Sequence, residues 1–380
     1  MPPRWAETSA GSHPEKWGWA PGNAAITTGS VASTWTLDRT RGALENLSRA
    51  RLDWPAFGEE VARHLRRSIG FDGWCVMQTD PDTLLPARAL AADSPATTAP
   101  RRIWQIEFHV PDVCKLAYLA RGGQRASTVN AATGGDLARS PRWDEIMRPA
   151  GITDELRAAL VSDGRCWGSL SLFRAAARPF TDEDVRHVTE VLAAIAAGTR
   201  AAWTTMDLPS AAAPAASGPG TIIVTADGTL VTATPAAVSW LARLGLAGKP
   251  ASGLALIYPV IVRASADGAR PAASVRTRTV DGYWLDIHAS PLAPAVPGCD
   301  LAVTIMPAAP TRIVPLLMRA YCLSARERQI ARLLLDGSTS AEIARTLHIS
   351  GYTANDHIKA VFRKAGAHSR QELASLLSGH

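Results

Sequence analysis

Residues Leu323–Leu373 read LSARERQIARLLLDGSTSAEIARTLHISGYTANDHIKAVFRKAGAHSRQEL, and this stretch decides the fold of the C-terminal part of the chain. It holds Ser324 with Glu327, Thr339 with Glu342, and Ser369 with Glu372. In each pair the hydroxyl can accept an early helix N–H while the glutamate reaches back to the cap. Ser350 is placed to cap a further helix, and Gly337 and Gly366 fall where helices end in a left-handed residue. The spacing predicts helices over about 325–336, 340–347, 351–365 and 370–378.

The apolar residues keep helical spacing: Ile330, Leu333 and Leu334, then Ile343, Ala344 and Leu347, then Ala354, Ile358, Val361 and Ala365. On the third helix this leaves Asn355, Asp356, Lys359 and Arg363 on the opposite face. The second and third helices are joined only by Ile349-Ser350-Gly351, the short turn of a helix-turn-helix. From Arg319 to His380 nine Lys/Arg stand against five Asp/Glu, so most of the chain's net charge of +6 lies there. The residues alone leave open a plain helical bundle with a solvated basic face.

The segment resembles the LuxR-type DNA-binding domain along its whole length. The resemblance is carried by Leu323-Ser324-x-Arg326-Glu327, Gly337, Glu342-Ile343-Ala344, Ile349-Ser350-x-x-Thr353-x-x-x-His357 and Lys364-x-Gly366-x-x-Ser369-Arg370. It implies a third helix in the major groove, with Asn355, Asp356 and Lys359 facing bases. Asn suits adenine, Lys guanine, and Asp the cytosine amino group. It makes Thr353, Arg363, Lys364 and Arg370 candidates for phosphate contact, which sets register and carries salt-dependent affinity. His357 is read as a packing residue. The last helix, through Leu373, Leu376 and Leu377, is expected to pair two copies on an inverted repeat of double-stranded DNA, with RNA polymerase as a further partner. Two departures stand out. Ala354 replaces the usual Val, and Asn355-Asp356 replaces a frequently basic stretch.

Upstream, Phe57, Val61, Leu65 and Ile69 mark an amphipathic helix, and Trp74–Met77 a strand. A second strand is expected at Ile103–Val110. Glu155–Val161 and Trp167–Phe173 form a predicted hairpin about Ser162–Arg165. Thr181-Asp182-Glu183-Asp184 opens a helix running toward Trp203. This order, with the ArgProPheThrAspGluAsp stretch at 178–184, resembles a GAF domain. PSAAAPAASGPG at 209–220 reads as a linker. Beyond it come Thr221–Thr225 and Leu230–Ala233 about Asp227-Gly228, then a helix with Val238, Leu241 and Leu244. Strands at Ser274–Val280, Tyr283–Ser290 and Leu301–Met306 follow, an order similar to a small PAS domain.

The expected architecture is therefore multidomain. A mostly disordered tail covers 1–51, with Trp5, Trp17, Trp19 and Trp35. An α+β GAF-like domain follows at 52–204, a linker at 205–219, an α+β PAS-like domain at 220–310 and an all-α four-helix domain at 316–380. At 47% hydrophobic and 19% charged, 380 residues suffice for several cores. The five scattered cysteines (Cys75, Cys114, Cys166, Cys299 and Cys322) form no CxxC pair, which argues against a disulfide framework or structural zinc. No apolar run spans a bilayer and no secretory signal opens the chain, so the cytoplasm is expected and a membrane is not. Gly245-Leu-Ala-Gly248-Lys249-Pro250 is not a phosphate-binding loop, and Trp104, Trp143, Trp167 and Trp284 can line pockets but read better as core. No cofactor or metal is evident, and the effector, if a small molecule, is unidentified. A regulator rather than an enzyme is expected. The alternatives are a GAF-type thiol enzyme reducing methionine sulfoxide, which needs a low-pKa cysteine, and an interaction scaffold using the Trp-containing tail.

Overall fold

The computed structural model describes residues 34–95, 100–175, 178–205, 218–225, 227–244, 250–265, 273–292 and 298–378. Most of the predicted tail (1–33, with Trp5, Trp17 and Trp19) and of the predicted linker (206–217) lies outside those residues. The tail ends sooner than expected, because Thr34–Arg49 is a helix, α1. Leu37, Thr40, Leu44 and Leu47 step by three, four and three. Leu44 is buried against the core formed by α2, α6 and the first sheet, which supplies the apolar surface that a disordered segment lacks.

α2 (Trp54–Arg66) starts where Asp53 accepts the Ala56 N–H at 2.8 Å. Next come β1 (Gly73–Thr79), β2 (Pro86–Ala92), α3 (Pro100–Phe108), α4 (Leu116–Arg121), β3 (Ala126–Thr128), α5 (Val129–Thr133), β4 (Asp154–Ser162), β5 (Arg165–Arg174) and α6 (Asp182–Ala201). The five strands pair antiparallel in the order β2-β1-β5-β4-β3. The β4–β5 hairpin turns on Asp163 and Gly164, both at positive φ (52° and 69°), the pair that a two-residue turn of matching twist requires. Thr181 caps α6 as expected, and Asp184 reaches back to the Thr181 N–H, completing a capping box that the sequence reading did not mark.

Strand alternation sorts this sheet into two faces. Leu156, Ala158, Leu160, Leu170 and Leu172 face α2 and α6 with Phe57, Val61, Val188 and Ile195. The helices meet closely, since a Cβ on Gly198 would stand 2.2 Å from the Phe57 ring. Glu155, Arg157 and Ala159 take the other face.

The strand expected at Ile103–Val110 is instead α3. A short apolar run fits both periods, and here Ile103 and Ile106, three apart, are buried together with Ile146.

A second five-stranded antiparallel sheet follows. Its elements are β6 (Gly220–Val224), β7 (Leu230–Ala233), α7 (Pro235–Leu244), α8 (Pro250–Ala264), β8 (Ala273–Arg278), β9 (Trp284–Pro291) and β10 (Leu301–Pro307). Its order, β7-β6-β10-β9-β8, repeats the winding of the first sheet. α7 and α8 cover it through Trp240, Leu241, Ile257 and Ile261, buried against Ile222, Val275, Ile287 and Val303.

The two sheets belong to one packed body. Trp203 stacks on Trp284 with ring centroids 5.7 Å apart, and the Thr277 hydroxyl donates to the Ala87 carbonyl at 2.6 Å. α3 packs on α8, where a His109 ring nitrogen lies 2.6 Å from the Val262 carbonyl oxygen. α9 (Pro310–Ala320), not read from the sequence, then leads into α10 (Ala325–Leu335), α11 (Ser340–Thr346), α12 (Gly351–Ala365) and α13 (Arg370–Ser378). No helix among the described residues is long and apolar enough to cross a membrane.

Candidate nucleic-acid interface and sensory cavity

The C-terminal helices form where their caps placed them. Ser324 accepts the Glu327 N–H at 3.2 Å while Glu327 accepts the Ser324 N–H at 2.6 Å, and Thr339 with Glu342 repeats the arrangement. Ser350 caps α12 by accepting the Thr353 N–H at 3.0 Å. Ser369 accepts the Glu372 N–H at 3.0 Å, although the Glu372 carboxylate turns to the His368 N–H instead of the cap. Gly337 and Gly366 sit at φ 84° and 73°. The turn between α11 and α12 contains His348 at φ 50°, a left-handed residue that no sequence pattern marked.

Ala354, Val361 and Ala365 turn inward on α12 with Ile330, Ala331 and Ile343. Asn355, Asp356, Lys359 and Arg363 are exposed, and Thr353 is half-buried with its hydroxyl 2.9 Å from that of Ser350. His357 is half-buried. Tyr352, which sequence reasoning missed, stands 79% exposed at the start of the same helix. Its signal was an aromatic residue outside the apolar stripe.

Other motif residues serve the domain itself. The Lys364 ammonium donates to Glu327 at 2.6 Å and to the Cys322 carbonyl at 3.1 Å. Burial opposes ionisation of Glu327, but Lys364 and the Ser324 N–H outweigh it and hold its pKa below the usual range. Arg370 donates to the Ser338 carbonyl at 2.5 Å, and Arg326 to the Leu347 carbonyl at 2.8 Å. Leu373 and Leu377 are buried within the chain, where α13 packs on α9, α10 and α12. Leu376 alone of the three leucines is partly open.

The residues spanning 321–377 match the family model of bacterial regulatory proteins of the luxR family, and 53–199 match that of the GAF domain. The chain carries a LuxR-family domain behind a GAF domain. Among solved structures it is similar to the chromophore-binding domain of the bacteriophytochrome RpBphP3 from R. palustris, at 15% identity and TM-score 0.31. That match covers 44% of this chain and 61% of the other, so the chain spans under two thirds of that structure's length. Escherichia coli SdiA is 15% identical over 90% of this chain and 96% of its own, with TM-score 0.31. A Vibrio cholera VqmA–ligand–DNA complex is 20% identical over 43% of this chain and 82% of its own, with TM-score 0.20. No curated protein matches.

On the face of the GAF sheet away from α2 and α6 lies a cavity of about 910 Å³. α3 and α4 wall it, as does the β1–β2 turn. Behind it Arg142, Arg157, Glu107 and Glu155 form a buried, charge-balanced network. Arg157 donates to Glu107 at 2.9 Å and Arg142 to Glu155 at 2.6 Å. Burial works against the Glu107 carboxylate, and the two guanidiniums overcome this and lower its pKa. Arg263, Ala273 and Ser274 of the second sheet's module complete the wall.

Asp82 in the same lining connects the modules. It accepts from Arg165 at 2.9 Å, Arg276 at 2.7 Å and Arg319 of α9 at 2.9 Å. Its neighbour Asp80 pairs with Arg276 at 2.5 Å.

The thiols do not suit redox catalysis. Burial pushes Cys75 up to about 12 and Cys114 up to about 11, and also raises Cys166, the reverse of what a nucleophilic thiolate needs. Cys299 and Cys322 are free and half-exposed. Among the described residues no three His, Cys, Asp or Glu side chains gather as a metal site.

Proposed function

We propose that this chain is a cytoplasmic, sequence-specific transcriptional regulator that binds an inverted repeat as a homodimer, with DNA affinity set by occupancy of the GAF cavity. The observation carrying this reading is the two-sidedness of α12. Its small apolar residues are buried, while Asn355, Asp356, Lys359 and Arg363 remain exposed beside the upstream modules. Asn355, Asp356 and Lys359 are then the base readers, and Thr353 and Arg363 touch phosphate. Lys364 and Arg370, assigned from the family pattern to phosphate, fix helix positions. Leu376 is the α13 leucine available to a partner, since Leu373 and Leu377 are spent on the chain's own core.

Residues 220–310 act as a PAS-like module in this reading, supported by the strand order β7-β6-β10-β9-β8 and the helices on one face. The cavity touches that module, and Asp82 joins its wall to α9, which gives an occupant a physical route to the DNA-binding helices.

Selection from random duplex DNA, followed by fluorescence anisotropy on the recovered site, tests the reading. Lys359→Ala should cost about 1–3 kcal/mol on that site and relax selectivity at one base pair. Recovery of no enriched sequence, even at low salt, would overturn it.

A further inference from the structure

Lys115 is the N-cap of α4 and only 8% exposed, yet its ammonium has no hydrogen-bond or ion-pair partner among the described residues. It lines the GAF cavity. The preceding residue, Cys114, holds a left-handed backbone conformation (φ 53°), with its thiol 3.4 Å from the Thr128 carbonyl oxygen, so the chain is locally fixed just before the lysine.

The other interior charges of the lining are accounted for. Glu107 is held by Arg157 and the Leu116 N–H, and Asp82 by three guanidiniums. Asp163 and Arg121 are exposed at the rim. One positive charge, at the end of a largely buried side chain, is therefore left on the cavity lining without a partner among the described residues, free to take an anion.

The rest of the lining describes the body such an anion would have. Trp104 and Phe108 stack on one side of α3 with ring centroids 5.7 Å apart, and Leu84, Leu116 and Met77 add apolar surface. The volume of about 910 Å³ suits a drug-sized molecule.

Resting on the reading of this cavity as the effector site, we infer that its ligand is an aromatic monocarboxylate, its carboxylate on the Lys115 ammonium and its ring against Trp104 and Phe108. A lone ammonium is a single point charge without the fork of donors that phosphate recognition uses; of the guanidiniums on the lining, Arg157 is committed to Glu107 and Arg165 to Asp82, and Arg263 lies over the Phe108 ring.

Calorimetric titration of the full chain with 2-naphthoate, its neutral isostere 2-naphthamide and 2-naphthyl phosphate tests this. Naphthoate should bind at least tenfold tighter than the amide, and no weaker than the phosphate. Lys115→Met should erase the preference for acid over amide, and Lys115→Arg should keep it. A denaturation midpoint for Lys115→Met equal to or above that of the parent shows that the variant is folded. Ala117→Trp, which fills the cavity, should abolish binding of both acid and amide.

Equal binding of acid and amide, both lost in Ala117→Trp, would leave the cavity as the effector site and overturn the carboxylate assignment. Tighter binding of the phosphate would overturn the assignment to a monocarboxylate. Binding of no probe, or binding indifferent to Ala117→Trp, would overturn the cavity reading together with this inference.

Discussion

Asp82, in the turn between β1 and β2, accepts two contacts from Arg319 of α9, at 2.9 and 3.0 Å, across 237 residues of sequence. The same carboxylate holds Arg165 and Arg276, so one side chain fastens the GAF sheet, the second sheet and the helix leading into the LuxR-family domain. Its neighbour Asp80 is 1% exposed and pairs with Arg276, whose side chain is 5% exposed.

These two aspartates should separate in a denaturation experiment. Asp80→Asn leaves a buried guanidinium short of its main partner and is expected to cost about 3–5 kcal/mol. Asp82 is over a third exposed, so screening reduces its worth and Asp82→Asn should cost about 1 kcal/mol or less. Equal losses would mean that the turn, and not its charges, holds the modules together.

Glu327 and Lys364 give a pH-dependent signature. The folded pKa of Glu327 lies below its ordinary 4.5, so its contribution is complete above that value and is lost as pH falls through the folded pKa. Glu327→Gln should be less stable than the parent by about 1–3 kcal/mol at pH 7. The gap should close in acid. A gap constant from pH 7 to pH 3 would show that the ion pair contributes nothing.

Arg363 and Arg370 should behave differently on DNA. Arg363→Ala should weaken binding to all sequences and reduce the salt slope by about one. Arg370→Ala, losing its bond to the Ser338 carbonyl, should lower the unfolding midpoint and leave the slope unchanged. Salt titrations by anisotropy distinguish the two. Tyr352→Ala should leave stability unchanged, given its exposure, and weaken DNA binding if the face around it meets the duplex.

Gly198 is where α6 meets α2. Gly198→Ala should destabilise by about 1–3 kcal/mol through overpacking against Phe57. Phe57→Leu in the same chain should recover part of that loss, a coupling that a double-mutant cycle measures directly.

Thiol labelling at neutral pH should proceed at Cys299 and Cys322 and stall at Cys75, Cys114 and Cys166 until the chain unfolds.

The C-terminal helices were legible because capping is local: Ser324 and Glu327, or Thr339 and Glu342, carry their instruction within four residues. The GAF sheet was partly legible through its Asp163-Gly164 turn and the Thr181 cap. α3 was misread because Ile103, Ile106, Phe108 and Val110 satisfy two periods at once, and α1 because its apolar surface exists only once α6 is beside it. α8 was hidden by Pro259 within it, and α9 by Pro315. The cavity had no sequence signature beyond Trp104, a tryptophan that could line a pocket and does so where core packing was the expectation. Trp104, Lys115 and Arg157 come from separate elements and acquire meaning only when the sheet brings them together. The internal engagement of Lys364 was equally invisible, since its partner lies 37 residues away.

In both sheets the central strand is the last of its five to appear in the chain, β5 between β1 and β4, and β10 between β6 and β9. A ribosome making this protein therefore releases β1–β2 and β3–β4 as separate edges that cannot join until residue 174 has emerged, and the second sheet waits likewise for residue 307. Each module closes in one late step, and the LuxR-family helices leave the tunnel after the surface on which α9 rests has been completed.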